Sequence, residues 1–166
     1  MSKKKETKTK TKTKTNAMRI LDAAHVDHVV HAVDATGEDT GVDIALRAGE
    51  DPDHVFKTLV TQGKSGEHFV FMIPVAAELD LKKAARAAGE KSVAMVRSRE
   101  LFDLTGYVHG GCSPLGMKKF FRTFIDETCA LFDTIMFSGG RIGTQIEMSF
   151  DDLAKIMEIE SVDLVV

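Results

Sequence analysis

The order of its short apolar segments constrains the fold of this 166-residue chain more than any other feature of the sequence. Runs with strand character and amphipathic helical segments follow one another without a regular strand–helix–strand alternation. A doubly wound parallel sheet requires that alternation, because a crossover helix joins each pair of parallel strands. The pattern therefore favours an α+β sheet or a partly closed barrel over a doubly wound fold.

Local patterns predict where the elements begin and end. Asn16 is expected to cap the first helix, since its side chain can accept a hydrogen bond from the first turn. Asp51 and Pro52 form another helix-start signal, and the Gly-Lys-Ser-Gly segment at 63–66 predicts a β-hairpin. The predicted helices are 17–25, 42–48, 79–88, 98–104 and 151–157, and the predicted strands are 29–33, 55–61, 68–73, 92–96, 120–125, 131–137, 144–148 and 162–166.

The charges are unevenly distributed along the chain. Of 22 Lys and Arg and 25 Asp and Glu residues, residues 1–16 hold seven Lys and one Glu, which leaves 15 basic and 24 acidic residues and a net charge of −9 for the remainder. Because the Lys/Thr run has no apolar residue after Met1, we predict a disordered tail at 1–15 and one domain at 16–166. The tail is expected either to hold polyanions weakly or only to aid solubility. Any RNA contact of the acidic domain must be local.

Composition narrows the class of protein. The longest apolar runs, such as 69–75, are far shorter than the roughly 18 residues of a membrane span, and no secretory signal is visible. Cys112 and Cys129 form neither a disulfide framework nor a zinc motif. The sequence therefore predicts a reduced, cytoplasmic protein that needs no cofactor and binds neither membranes nor DNA.

Lys57 is a lysine inside an otherwise apolar strand, VFKTLV. Alternation places it on one face with Val55 and Leu59, while Thr58 shares the other face with its own apolar neighbours. Neither face is plainly solvent-exposed, and unpaired burial of an ammonium group is costly. Lys57 is therefore expected either to reach water at a sheet edge or to point into a polar pocket and meet an anionic or carbonyl ligand.

Two glycine-rich segments are further candidates for a site. Gly110 and Gly111 lie in GYVHGGCSPLGMKK (106–119), where successive amides can form an anion-binding nest or a tight structural turn. Ser138 opens SGGRIG (138–143), which predicts a hairpin turn or a second wall of the same pocket. A local basic cluster follows the first segment and is predicted to contact RNA: Lys118, Lys119 and Arg122.

Other reactive side chains admit two interpretations each. Cys112 lies in the first glycine-rich segment. It is interpreted either as a buried thiol or as a nucleophile, which would need a nearby base. His25, His28 and His31 are spaced three residues apart, but no fourth ligand is evident, so surface histidines are expected rather than a metal site.

The segments VFKTLV, GYVHGGCSPLGMKK and SGGRIG, followed by a DLAKI helix, together resemble the YbaK/EbsC family of Cys-tRNA(Pro) deacylases, which is related to the editing domain of bacterial prolyl-tRNA synthetases. The resemblance covers about residues 16–165. It implies a mixed, barrel-like β-sheet flanked by helices and hydrolysis of mischarged aminoacyl-tRNA in trans, with prolyl-tRNA synthetase as a further partner.

The resemblance also implies roles for individual residues. Lys57, Gly110 and Gly111 match the catalytic lysine and backbone wall that face the aminoacyl ester, and the substrate's own thiol, not a protein nucleophile, attacks the ester. The predicted substrate-binding residues are Thr58, Ser138, Val33, Gln145, Cys112 and Ser113. Some members have tyrosine at Val33 and aspartate at Gln145, so these two differences bear on amino-acid preference. A non-catalytic module that binds a tRNA end or nucleotide, and a hydrolase that depends on Cys112, remain alternatives.

Overall fold

A computed structural model describes residues 13–166, and within them it contains eight strands, five α-helices and one 3₁₀-helix. The helices are α1 (Asn16–Ala24), α2 (Gly41–Arg47), α3 (Leu81–Ala88), α4 (Ser98–Thr105) and α5 (Phe150–Ile156), and the 3₁₀-helix is Glu127–Leu131. The strands are β1 (Val29–Ala32), β2 (Val55–Gly63), β3 (His68–Pro74), β4 (Val93–Met95), β5 (Arg122–Asp126), β6 (Ile135–Arg141), β7 (Thr144–Met148) and β8 (Glu160–Val162). None of the helices in this range is long and apolar enough to cross a membrane.

All eight strands belong to one mixed sheet with the order β1-β7-β6-β2-β3-β5-β8, and β4 pairs with β2 outside that path. The pairs β2–β6, β3–β5 and β5–β8 are parallel, and the other pairs are antiparallel. The predicted mixed sheet with flanking helices is confirmed, and so is the hairpin that joins β2 to β3.

The central strand β2 changes its partner along its length. Its first two residues pair with β6, and residues 61–63 pair with β4. Among the described residues, 57–59 therefore have β3 on one side and no strand on the other. We call this unpaired edge the β2 gap. It ends at Val60, whose carbonyl accepts a hydrogen bond from the Val96 N–H group at 3.1 Å.

Helices cover both faces of the sheet around β3. Phe71 and Ile73 pack with the alanines of α3 on one face, whereas Met72 packs with Leu21 of α1 and Leu153 of α5 on the other. A strand that is buried on both faces needs apolar residues at every position. This explains why residues 69–74 form an uninterrupted apolar run.

The ends of several elements differ from the sequence-based prediction. The cap of α1 is Thr15, whose hydroxyl accepts a hydrogen bond from the Met18 N–H group, so the prediction for Asn16 was wrong. Asp51 starts a turn and no helix, because its carboxylate accepts from the N–H group of Asp53 and β2 begins at Val55.

Two predicted strands are displaced along the chain. The segment predicted as strand 131–137 begins in the 3₁₀-helix that Asp126 caps, and β6 continues through the glycine pair to Arg141. The last predicted strand, 162–166, is reduced to an isolated bridge between Leu79 and Val165 beyond β8. Residues 1–12 of the predicted tail lie outside the described residues, and Thr15 donates a hydrogen bond to the Gly139 carbonyl of β6.

Candidate active site

A cavity of about 600 Å³ opens at the β2 gap. The other walls of the cavity come from the loop before α2, the start of α4, the loop after α4, and strands β6 and β7. The split in the sheet creates this space, because the strands that pair with the two ends of β2 leave its middle uncovered. Six residues singled out in the sequence line the cavity: Lys57, Thr58, Gly110, Cys112, Ser138 and Gln145.

Lys57 projects from the β2 gap and is half-buried. Burial lowers the pKa of its ammonium group, and the nearby Glu78 carboxylate raises the pKa in opposition. Within residues 13–166, the ammonium group forms no salt bridge within 4 Å. Of the two interpretations from sequence, the structure therefore favours the pocket over a side chain that reaches bulk water.

The two glycine-rich segments pack against each other beside the cavity. Gly110 has a positive φ of 86°, a conformation that side chains other than glycine rarely adopt. A Cβ atom on Gly111 would lie 2.9 Å from the backbone nitrogen of Ile142, at the β6–β7 turn. Glycine at both positions is thus required for the loop after α4 to approach the hairpin backbone to backbone.

Ser138 and Gln145 are cross-strand neighbours in the β6–β7 pair. The Ser138 hydroxyl accepts a hydrogen bond from the Gly140 N–H group at 3.1 Å, and the register of the two strands is irregular between Ser138 and Arg141. The glycine pair of the second segment therefore forms a bulge inside β6, and the reversal of the chain follows at Ile142 and Gly143.

Two residues that line the cavity each carry a buried polar atom without a partner in the described range. The Thr58 hydroxyl and the Gln145 side-chain carbonyl are buried, and neither makes a hydrogen bond to any residue of the described range. Buried polar groups are nearly always paired, so each exception calls for an explanation. Because both residues line the cavity, their unpaired atoms are candidates for hydrogen bonds that form when a ligand binds.

The Cys112 thiol faces the same space in an inert form. The residue is 6% exposed, and burial raises the pKa of its thiol to about 12. A thiol with this pKa stays protonated at neutral pH, whereas nucleophilic cysteines need a depressed pKa. The interpretation of Cys112 as a buried thiol is favoured over that of a nucleophile.

Sequence similarity identifies the family of the chain that forms this cavity. A sequence model described as the aminoacyl-tRNA editing domain matches residues 37–156. The chain belongs to the aminoacyl-tRNA editing domain family. The match spans β2 and β3, both glycine-rich segments and α5, so every residue that lines the cavity lies within the editing domain.

A relative and two solved structures agree with this assignment. EbsC of Enterococcus faecalis, named as a candidate Cys-tRNA(Pro)/Cys-tRNA(Cys) deacylase, is 42% identical over 136 residues, which are 81% of this chain and 82% of that protein. The hypothetical protein APE2540 shares the fold with a TM-score of 0.83 at 21% identity, covering 92% of this chain and 100% of the other. A candidate trans-editing enzyme for prolyl-tRNA synthetase has a TM-score of 0.78 at 23% identity, covering 93% and 99%. The predicted membership of the YbaK/EbsC family is confirmed.

Three residues predicted at the site do not line the cavity of this editing domain. Val33 follows β1, where its N–H group donates to the Gly143 carbonyl at 2.8 Å. Ser113 is fully buried, and its hydroxyl accepts from the Leu115 N–H group in a turn. Gly111 lies behind Gly110 against the hairpin. The prediction that Val33, Ser113 and Gly111 face the ligand space was therefore wrong for this structure, because each makes backbone or turn contacts outside the lining.

The predicted basic cluster also lies away from the cavity. The Lys118 ammonium is 5.0 Å from the ring centre of Phe102 on α4, and the Arg122 guanidinium is 5.1 Å from the ring centre of Phe124. Arg122 lines a separate cleft of about 690 Å³ between β5, β8 and α5. Lys119 is exposed. A role of these cations in RNA binding remains a prediction.

Sequence patterns did not point to the loop before α2 as a wall of the cavity. Asp39 in this loop forms two hydrogen bonds of 3.1 Å with the Arg47 guanidinium of α2. These bonds, together with that from the Thr36 N–H group, lower the pKa of Asp39 to about 2. The segment DATGEDTG was recognisable as a loop, but nothing in its composition indicated which part of the sheet it would cover.

The three histidines near the N-terminus have different local environments. His25 ends α1 with a φ of 56°, His28 contacts the Val26 carbonyl, and His31 on β1 pairs with the Glu147 carboxylate at 2.8 Å. Among residues 13–166, no group of three or more His, Cys, Asp or Glu side chains is placed to hold a metal ion.

Proposed function

We propose that this chain is a trans-acting aminoacyl-tRNA deacylase whose substrate is Cys-tRNA(Pro). The family gives the editing activity, and the name of the EbsC relative supports the choice of substrate. The observation that carries the proposal is the half-buried Lys57 side chain in a cavity whose lining includes Thr58 and Gln145, each with an unpartnered buried polar atom in the described range. In the same proposal the protein acts in the cytoplasm beside prolyl-tRNA synthetase.

Lys57 supplies electrostatic stabilisation. Hydrolysis of an aminoacyl ester develops negative charge on the carbonyl oxygen, and a fixed cation in a partly dehydrated site stabilises that charge more than it would in water. The ammonium is already positioned on a rigid strand, so little reorganisation is needed at the moment of reaction. Peptide N–H groups beside Gly110 form the wall along which the ester lies.

The attacking sulfur comes from the substrate. The thiol of the esterified cysteine loses its proton as its sulfur attacks the carbonyl carbon of the same residue. The C–S bond forms, the bond from that carbon to the ribose oxygen breaks, and the ribose oxygen takes up the proton that the thiol released. The products are deacylated tRNA and a cyclic thioester of cysteine. This route needs no protein nucleophile, which agrees with the protonated thiol of Cys112.

Replacement of Lys57 tests the proposal most directly. Lys57→Met keeps an unbranched side chain, one atom shorter, and removes the charge. We expect deacylation of Cys-tRNA(Pro) to fall by about 10²–10³-fold, as when a single transition-state donor is lost. The exposed Lys91→Met is the matched control and should retain full activity. Near wild-type turnover in Lys57→Met, with an unchanged circular dichroism spectrum, would remove the assigned role.

Substrate preference is measured with tRNA(Pro) charged with Cys, Ala or Pro, in the presence and absence of prolyl-tRNA synthetase. The proposed mechanism predicts that only the cysteinyl ester is cleaved rapidly, because alanine and proline carry no thiol. Faster cleavage with the synthetase present would support a partnership, and equal rates would contradict it.

A binding module that holds a charged tRNA end without cleaving it is the second candidate. The neutral Gln145 favours it, since a carboxylate stands at this position in some members of the family. Charged tRNA that is bound yet stays charged would establish this alternative. A Cys112-dependent hydrolase is excluded if Cys112→Ser retains activity, as the raised pKa of its thiol leads us to expect.

A further inference from the structure

We propose that a groove beside β4 binds the single-stranded 3′ end of the tRNA through its phosphates, with Arg97 and Lys64 as the contacting cations. The groove has a volume of about 500 Å³ and is lined by Gln62, Gly63, Lys64, Ser92, Ala94, Met95, Val96, Arg97 and Glu100. We call it the β4 groove. The inference deepens the proposed function and rests on it.

The β4 groove adjoins the active-site cavity. Met95, Val96 and Arg97 line both spaces, so a chain that leaves the cavity at this point enters the groove. The substrate has the same arrangement, because the esterified ribose is the last nucleotide of a single strand. With the ester in the cavity, the phosphates before it fall along the groove.

Both cations are free to meet phosphates. Within residues 13–166, the side chains of Arg97 and Lys64 form no ion pair with a carboxylate within 4 Å. The one acidic residue that lines the groove is Glu100, whose carboxylate accepts a hydrogen bond from the Arg97 backbone N–H group at 3.4 Å. Nearby, the Glu90 carboxylate is held by the Ser65 hydroxyl and N–H group. Both carboxylates therefore have partners of their own.

The remaining lining suits a nucleic acid strand without selecting its bases. Met95 is 47% exposed on β4, and a large exposed apolar side chain gives bases a surface on which to pack. The Gln62 amide already donates to the Gly66 carbonyl at 3.1 Å, so it is engaged and does not read a base edge. Recognition of the phosphates is independent of sequence, which fits a 3′ end that all tRNAs share.

This arrangement bears on a choice that the sequence left open for Lys57, between an anionic and a carbonyl ligand. Arg97 at the junction of the two spaces takes the phosphate next to the terminal ribose. Lys57, deeper along β2, is left for the ester carbonyl. An arginine suits the first task, because its planar guanidinium can bind a phosphate with two parallel hydrogen bonds.

Two substrates separate the groove from the cavity: full Cys-tRNA(Pro) and the cysteine ester of adenosine, which has no phosphates. We expect Lys64→Ala/Arg97→Ala to raise KM for the charged tRNA by about 10-fold, a loss of roughly 1.4 kcal/mol in affinity, with kcat unchanged. The ratio of KM for the charged tRNA to KM for the adenosine ester should therefore rise about 10-fold, since the adenosine ester has no phosphate that either cation could contact. The control Lys82→Ala/Arg99→Ala removes two exposed cations that line neither space and should change neither substrate.

Binding without chemistry gives an independent measurement. The probe is an oligonucleotide with the tRNA 3′ sequence that carries no amino acid. The slope of log affinity against log salt concentration should become less steep by about 0.7 for each phosphate that the double variant no longer neutralises. An unchanged slope together with an unchanged KM for charged tRNA would overturn the inference. Failure of the proposed function is distinct, because the wild-type protein would then cleave neither substrate while the oligonucleotide slopes still report on the groove.

Discussion

At the scale of single residues, the site is built from groups that the protein leaves unsatisfied. Lys57 has no carboxylate within ion-pair distance in the described range, and Thr58 and Gln145 each carry a buried oxygen atom without a partner. Each such group lowers stability, because burial removes all or part of its interaction with water without replacing it. We infer that binding of the substrate supplies the missing partners.

Thr58→Val tests this inference, since it removes the hydroxyl and keeps the shape of the side chain. We expect the free energy of unfolding to rise by about 1 kcal/mol, because an unsatisfied buried group disappears, while kcat/KM for Cys-tRNA(Pro) falls about 10-fold. Urea denaturation and a deacylation assay measure the two effects.

Thr61→Val is the matched control on the same strand. The Thr61 hydroxyl is buried but donates to the Phe69 carbonyl at 3.0 Å, so its removal leaves that hydrogen bond unmade. This variant should lose about 1 kcal/mol of stability and keep its activity. If both variants were destabilised equally, the Thr58 hydroxyl would have a partner after all.

Lys57 could be singled out from sequence because a charged residue interrupts an apolar strand. Thr58 gave no such signal, since threonine is common in strands and its lack of a partner depends on distant residues. Val33 was expected near the pocket from the resemblance alone, and the register of β1 against β7 instead places it at the Gly143 turn.

At the scale of elements, the approach of the loop after α4 to the β6–β7 hairpin shapes the cavity. Gly111→Ala would place a methyl group 2.9 Å from the Ile142 backbone nitrogen. We expect a loss of about 1–3 kcal/mol, typical of overpacking, and a clear fall in deacylation as Gly110 moves. Thermal unfolding and activity assays measure both.

Gly66→Ala provides the comparison for that variant. Gly66 has a φ of 96° in the β2–β3 turn, and a Cβ atom there would meet nothing within 4 Å. It should lose stability through backbone strain alone and retain activity per folded molecule. Full activity in Gly111→Ala would show that the loop tolerates displacement from the hairpin.

The edge strand β1 is fastened to the sheet by a titratable side chain. Glu147 on β7 accepts hydrogen bonds from the Thr134 hydroxyl at 2.6 Å and from His31 at 2.8 Å. These bonds, that from Thr134 first, lower the pKa of the Glu147 carboxyl below its ordinary value of 4.5. A lowered pKa means that the folded state is stabilised above the unfolded pKa and loses this contribution as pH falls through the folded pKa.

Glu147→Gln should therefore be less stable than wild type at pH 7, by about 1 kcal/mol. The two proteins should converge in stability as pH falls below 4.5. Urea titrations across this range test the expectation, with the exposed Glu67→Gln as the control. A stability difference that is the same at pH 7 and at pH 3 would contradict it.

Elements were predictable where the signal was local. The β2–β3 hairpin followed from its turn residues, and α3 from its amphipathic pattern and its terminal Gly89. The position of β6 could not be predicted from the sequence, because the 3₁₀-helix before it and the bulge at Ser138 depend on tertiary contacts. For the same reason no local pattern revealed the β2 gap, which arises from the divergence of two strands far apart in the sequence.

At the scale of the whole molecule, charge is divided between a basic N-terminal segment and an acidic remainder. Deletion of residues 1–12 removes six Lys and one Glu. We expect weaker binding of tRNA at low salt and almost no difference at about 0.5 M salt, because the contribution is electrostatic and screened. Fluorescence anisotropy with labelled tRNA across a salt series measures it.

The control for the deletion replaces its six lysines by glutamine and keeps the length. The two variants should behave alike if charge alone matters. A deletion that weakens binding equally at all salt concentrations would contradict the electrostatic account. The fold class was predictable at this scale from the lack of strand–helix alternation, whereas the strand order required the structure.

The β2 gap limits which mutations this enzyme can accept. If β6 or β4 extended its pairing with β2 by two or three residues, new backbone hydrogen bonds would form and the active-site cavity would be closed. Mutations that stabilise the sheet by extending its strand pairing into the β2 gap would therefore abolish activity. Thermal robustness has to be gained elsewhere, in the helices or the turns, so that this short stretch of main chain stays open.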